Sequence, residues 1–209
     1  MSPLDLGFIL FDYAAVAVFG ATGALAAARR KHDIITFAFF AAITGVGGGT
    51  LRDLLIGAPV FWVVRPGYLV MCLVAAVAVW LLGRRTWRMG LLLWLDAIGM
   101  AAYCVVGAAK ALSLGVHPIS AVVMGVLTAC FGGVLRDILA GEPSVLLRRE
   151  IYVTAALAGA AVFVTLASLG ADRLLASGAG FVVAFAVRGG ALRYHWSLPG
   201  FPGSPDSEG

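Results

Sequence analysis

This sequence is short of charge. Only 12% of its 209 residues are Asp, Glu, Lys or Arg, against about 25% in soluble domains, while 61% are apolar and the mean hydropathy is +0.98. So little polar surface cannot coat a globule in water, and a soluble domain is excluded. Cysteine is scarce too. Cys72, Cys104 and Cys130 are odd in number and each sits inside an apolar block, which leaves no zinc or redox spacing and marks them as small hydrophobes. His32, His117 and His195 fall in predicted loops or beyond the last apolar run, away from any Cys or carboxylate at metal spacing. There is no nucleophile with a base, no phosphate loop and no dinucleotide fingerprint. Neither an enzyme, nor a cofactor, nor a bound metal is expected. The net charge of +4 and pI near 9.3 would suit nucleic acid, but Arg and Lys form short clusters between apolar blocks rather than a basic stripe among aromatics. No nucleic-acid partner is expected. Long polar stretches are missing as well, apart from a Pro/Gly/Ser tail at 197–209 that reads as disordered, so residues 1–196 read as a single transmembrane domain.

What is present is a series of membrane spans. A spanning helix needs about twenty apolar residues, and seven segments qualify: 7–28, 34–57, 67–83, 90–112, 118–140, 151–170 and 173–192. The third is short, and the seventh is the least hydrophobic and carries Arg188. The first is not expected to be cleaved as a signal peptide, because its positive charges follow the apolar run instead of preceding it. Arg29, Arg30, Lys31, Arg84, Arg85, Arg88, Arg148, Arg149 and Arg193 all fall on one face, and Asp5, Arg65, Lys110, Asp172 and Arg173 on the other. Positive charge near span ends favours the cytoplasm. The amino terminus is therefore predicted outside and the carboxyl terminus inside a cell's inner (plasma) membrane. Trp62, Trp80, Trp87, Trp94 and Trp196 lie near predicted span ends, as an aromatic belt would.

Sliding the sequence by 84 positions aligns Asp12 with Asp96, Gly48-Gly49 with Gly132-Gly133, Leu51-Arg52-Asp53 with Leu135-Arg136-Asp137, Gly57 with Gly141, Pro59 with Pro143, Arg65 with Arg149 and Tyr68 with Tyr152. Small apolar residues match by accident in such a composition. Asp, Arg, Pro and Tyr at one ungapped offset do not. Three spans separate each position from its counterpart, and an odd number of crossings inverts the second unit. The expected fold is an all-α integral membrane protein of seven transmembrane helices. It has two inverted three-helix repeats, about 7–83 and 90–170, plus a seventh helix at about 173–192, with kinks in the second and fifth spans. Inverted repeats of this kind enclose solute pathways near mid-bilayer.

Candidate pathway residues lie inside the repeats. The run Gly45-Val46-Gly47-Gly48-Gly49-Thr50, answered by Gly132-Gly133, permits a kink or an unwound turn whose carbonyls bind a cation; close helix packing is the other reading of such glycines. Charges within a span must be paired or wetted. Asp12 and Asp96 are expected to face Arg52 and Arg136 across a pathway formed by the first, second, fourth and fifth spans. Asp53 and Asp137 either join it or pair with the neighbouring Arg. Lys110 is expected to snorkel to the interface, the alternative being a charge at the pathway mouth.

The paired segments Gly47-Gly48-Gly49-Thr50-Leu51-Arg52-Asp53 and Gly132-Gly133-Val134-Leu135-Arg136-Asp137 resemble those of the prokaryotic trimeric intracellular cation (TRIC) channels. That bacterial family is also labelled a glycine transporter domain, and the likeness covers roughly residues 5–192. The resemblance implies a homotrimer with one pore per protomer, passing potassium and to a lesser degree sodium. It does not extend to the inositol-lipid regulation of the animal members, because Ala129-Cys130-Phe131-Gly132-Gly133 stands here where they carry a Lys-Glu-Val motif. The functional reading is thus a passive monovalent-cation channel, with a secondary transporter of a small amino acid such as glycine as the alternative and a membrane scaffold ranked last.

Overall fold

Helix ends follow from local chemistry repeated at the 84-residue offset. In the computed structural model, which describes residues 3–82, 89–144 and 150–199 and side chains from Ile9 onward, the elements are α1 (Pro3–Arg29), α2 (Ile34–Leu55), a short α3 (Phe61–Val64), α4 (Gly67–Leu82), α5 (Met89–Ser113), α6 (Pro118–Leu139), α7 (Val153–Ser168) and α8 (Arg173–Tyr194). Asp33 caps α2, its Oδ1 accepting from the Thr36 N–H at 2.8 Å. That bond holds the Asp33 carboxyl below its ordinary pKa. His117, 84 residues on, caps α6 through Nδ1, with Pro118 opening the helix. Both helices also stop alike: Gly57 and Gly141 adopt φ of +67° and +63°, and the next N–H reaches back to Asp53 and Asp137 carbonyls at 2.9 Å. Only glycine takes that left-handed position without penalty. Asp172 caps α8 through the Leu174 and Leu175 N–H groups.

Among the described residues five helices, α1, α2, α5, α6 and α8, are long and apolar enough to cross a bilayer. The third helices of the two repeats, α4 and α7, are apolar but have 16 residues each, about 24 Å at 1.5 Å per residue. The expected span 151–170 is therefore shorter than the sequence suggested, whereas the third was expected to be short. The protein is a multi-pass membrane protein. The basic residues Arg84, Arg85, Arg88, Arg148 and Arg149, Trp87, the Asp5 side chain and the tail beyond Pro199 lie outside the described residues. Ser197 is placed, in an isolated bridge with Glu150. All three cysteines are free and buried.

α1, α2 and α4 pack as one unit and α5, α6 and α7 as the other, joined through α1 on α5 and α2 on α6, with α8 against α5 and α7. The join obeys the repeat. Phe19 of α1 stacks on its own counterpart, Tyr103 of α5, at 5.1 Å between centroids. A methyl group on Gly48 would overlap the Thr128 carbonyl, and one on Gly132 would overlap the carbonyl of Thr44; these pairs exchange under the same offset. A pseudo-twofold axis thus runs between the α1/α5 stack and the α2/α6 crossing.

The glycine runs do not unwind. α2 is continuous through Gly45–Thr50 and α6 through Gly132-Gly133, so the backbone keeps its helix where sequence reasoning allowed a broken turn. The glycines provide close approach instead: Gly47 faces Leu135, Gly48 the Thr128 backbone, Gly49 the Phe61 ring and Gly132 the Thr44 backbone. Thr50 and Thr128 each donate Oγ1 to the carbonyl four residues earlier, at 2.7 and 2.6 Å, a bond that favours a gentle bend.

Candidate functional site

The last turn of α2 carries Arg52 and Asp53 into the interior, where both are buried. A carboxylate there must be compensated, and Asp53 is compensated fully. Arg52 grips its Oδ1 with Nε and Nη2 at 2.9 and 2.8 Å. The Lys110 ammonium lies 2.8 Å from Oδ2 and 2.7 Å from Oδ1, and the Phe61 N–H donates to Oδ2 at 2.9 Å. Phe61 gets there because the chain after α2 folds back into the bundle as α3; its ring lies under both the Arg52 and Lys110 cations, 5.9 Å from each. Lys110 therefore does not snorkel. Asp12, one element away, accepts a 2.6 Å hydrogen bond from the Tyr68 hydroxyl rather than from Arg52. Asp12 and Arg52 share one cavity of about 480 Å³, whose charged lining is Asp12, Arg52, Arg65, Lys110 and Arg173. We call this the first site.

The second site repeats the motif near the opposite face. Arg136 binds Asp137 Oδ1 through Nε and Nη2, both at 2.9 Å, and its Nη1 binds Asp96 Oδ1 and, at 3.2 Å, the Thr22 hydroxyl. Arg136, Asp96 and Thr22 are 2%, 1% and 0% exposed, so no water layer separates them. Tyr152, the counterpart of Tyr68, is equally buried. Its hydroxyl lies beside the pair, close to Arg136 Nη2 and Asp96 Oδ1.

Asp96 faces Arg136 as expected, Asp12 does not contact Arg52 directly, and Asp53 and Asp137 both take the neighbouring Arg. Four participants, Thr22, Phe61, Arg188 and Trp62, were not singled out from the sequence. Phe61 gives no signal beyond the proline-flanked break before it. Arg188 was noted only as a charge in a weak span. Trp62, assigned to the belt, donates Nε1 to Thr50 Oγ1 at 2.8 Å. No group of three or more metal-ligating side chains occurs among the described residues.

The family model described as "Glycine transporter" matches residues 9–84 and again 93–168. The second stretch begins and ends 84 residues after the first, so each repeat is one copy of the family's unit. A UPF0126 membrane protein of Vibrio cholerae is 38% identical over 204 residues, covering 96% of this chain and 85% of that protein. The UPF0126 inner membrane protein YadS of Escherichia coli is 38% identical, covering 91% of this chain and 94% of its own length. Among solved structures, the TRIC trimeric intracellular cation channel orthologue from Rhodobacter sphaeroides superposes with a TM-score of 0.87 at 50% identity, covering 90% of this chain and 98% of that one. The chain belongs to the TRIC family. A second TRIC cation channel structure matches at a TM-score of 0.83 and 31% identity, covering 93% and 97% of the two chains. Within a TRIC fold, the two Arg-Asp sites sit on opposite sides of the α2/α6 crossing, between the helices that join the repeats.

Proposed function

We propose that the protein is a passive monovalent-cation channel. Each protomer of a homotrimer carries a pore between α1, α2, α5 and α6 and passes potassium and sodium across the inner membrane, with the amino terminus outside and the carboxyl terminus in the cytoplasm. Residues 1–196 act as one transmembrane unit, and the pathway residues are Asp12, Gly47, Gly48, Gly49, Arg52, Asp53, Asp96, Gly132, Gly133, Arg136 and Asp137, with Lys110 at the mouth. The observation that carries this reading is the pair of inverted charged sites in the bundle interior, one of them open to a cavity, in a chain whose solved relatives are cation channels. Buried charges that serve only to lock helices would not need such a cavity. Its described charged lining includes a single acid, Asp12, so cation entry is assigned to that carboxylate.

Purified protein in a planar bilayer under a potassium chloride gradient is expected to show unitary steps reversing near the potassium equilibrium potential. Reversal at the chloride potential would refute the reading. One observation favours a second reading, a transporter of a small amino acid: Asp12 lines the same cavity as Arg52 and Lys110, an arrangement that suits an ammonium and a carboxylate together. Saturable counterflow of glycine into liposomes without unitary currents would select it.

A further inference from the structure

Arg188 is the interior charge that the two repeats do not explain. It lies on α8, the helix outside the duplicated units, and is 1% exposed. Its Nη2 donates to Glu150 Oε2 at 2.8 Å and its Nη1 to the Ile151 carbonyl at 3.3 Å, while the guanidinium lies over the Tyr152 ring, 5.1 Å from the centroid. One side chain thus holds three consecutive residues. Tyr152 in turn stands against the second site: a methyl group built on Gly133 would lie 3.3 Å from the Tyr152 hydroxyl and 3.6 Å from both Arg136 Nη2 and Asp96 Oδ1. The same segment is tied to the end of the chain. Glu150 bridges Ser197, and Trp196 packs on Gly190 and stacks with Tyr194.

We propose that Arg188 is a positioning residue for the second site, which it keeps closed by clamping residues 150–152 so that Tyr152 covers the Asp96–Arg136 pair. A buried anchor with no such task is as well made from apolar side chains, since a buried ion pair contributes little net stability over a well-packed hydrophobic replacement. A stacked, doubly bonded guanidinium fixes direction as well as position. Glu150 keeps a side chain 32% exposed, so the clamp can be loosened from its watery end without disturbing the core. The assignment of a gate rests on the channel reading; the clamp itself does not.

The test uses the full chain in liposomes, with Cys72, Cys104 and Cys130 replaced by Ala and Thr22→Cys as reporter. A small charged methanethiosulfonate is the probe, with labelling read by mass spectrometry. Arg188→Gln is expected to speed labelling at position 22 by about tenfold or more, the scale of a lost pairwise bias. Glu150→Gln is expected to speed it less, and Arg188→Lys, which keeps a charge near Glu150 but loses the second bond and the stack on Tyr152, to fall short of the parent's protection. A control with Val106→Cys, in the open cavity, should show no change. In planar bilayers Arg188→Gln should lengthen open times at unaltered unitary conductance. Unchanged labelling at position 22 in folded Arg188→Gln or Glu150→Gln protein would overturn the proposal, as would a parallel rise at position 106 or an Arg188→Lys variant that labels at the full parent rate. If Arg188→Gln does not fold, Glu150→Gln decides alone. Faster labelling without current in any variant would leave the clamp standing and bring down the channel reading instead.

Discussion

The first and second sites come from one duplicated pattern, yet the first faces a cavity of about 480 Å³ and the second is sealed. Both contain Arg gripping the following Asp through Nε and Nη2. The neighbours differ. Lys110 reaches Asp53, whereas the position 84 residues before it is Ala26, buried in α1. Thr22 binds Arg136, whereas its counterpart Val106 lines the cavity and has no hydroxyl. Tyr68 spends its hydroxyl on Asp12, while Tyr152 is pressed down by Arg188. Duplication thus supplied two equivalent charge pairs, and substitutions around them left one facing a cavity and the other enclosed.

The largest expected consequence concerns stability. Arg136→Ala removes the guanidinium that bridges the buried Asp96 and Asp137 carboxylates and should cost about 3–5 kcal/mol. Arg52→Ala should cost clearly less, because Lys110 remains on Asp53. Denaturant unfolding of the two variants in detergent checks this, and equal losses would erase the distinction between the sites. Next come the tyrosines. Tyr68→Phe removes a 2.6 Å hydrogen bond to a carboxylate and should cost about 1.5–3 kcal/mol, while Tyr152→Phe, whose hydroxyl lies beside Asp96 and Arg136 in looser geometry, should cost less.

How much of this was legible beforehand depends on what kind of information each feature needs. Apolar spans, inversion and the matched charges follow from hydropathy and a fixed offset; five spanning helices, two shorter apolar ones and the repeated Arg-Asp pairs are seen in the fold. The glycine runs admit both a break and a close crossing, because a missing Cβ both weakens a helix and lets another helix approach. In one sequence those two uses look identical; only the partner backbone, Thr128 for Gly48 and Thr44 for Gly132, separates them. Lys110 looked like a snorkelling residue because it lies near a span end. Its true partner is 57 residues away, on a helix whose rotation the sequence does not give. Arg188 was hidden for a different reason: it acts on a repeat from a helix that the repeat does not contain.

Two smaller effects sharpen the contrast further. Asp12→Asn should lower cation current by about tenfold, the low end of what a charged cleft contributes to local ion concentration, and Asp96→Asn should act mainly through stability; single-channel recording beside thermal melts separates them. The helix caps differ as well. The Asp33 carboxyl, with its folded pKa below the unfolded value, supports α2 above about pH 4 and loses that contribution as pH falls through the folded value. Asp33→Ala should therefore flatten the acid limb of the stability profile slightly, and His117→Ala at the matching cap of α6 should leave that limb in place.

The most direct test of a conduit open at one end and shut at the other compares counterpart positions. Val106→Cys and Thr22→Cys, each in the background free of native cysteines, are exposed to a charged thiol reagent during current recording. The account predicts rapid modification at position 106 from one side of the membrane with loss of current, and modification at position 22 only while channels are open. Equal reactivity at both positions in closed channels, or an unaltered current once position 106 is fully modified, would contradict it.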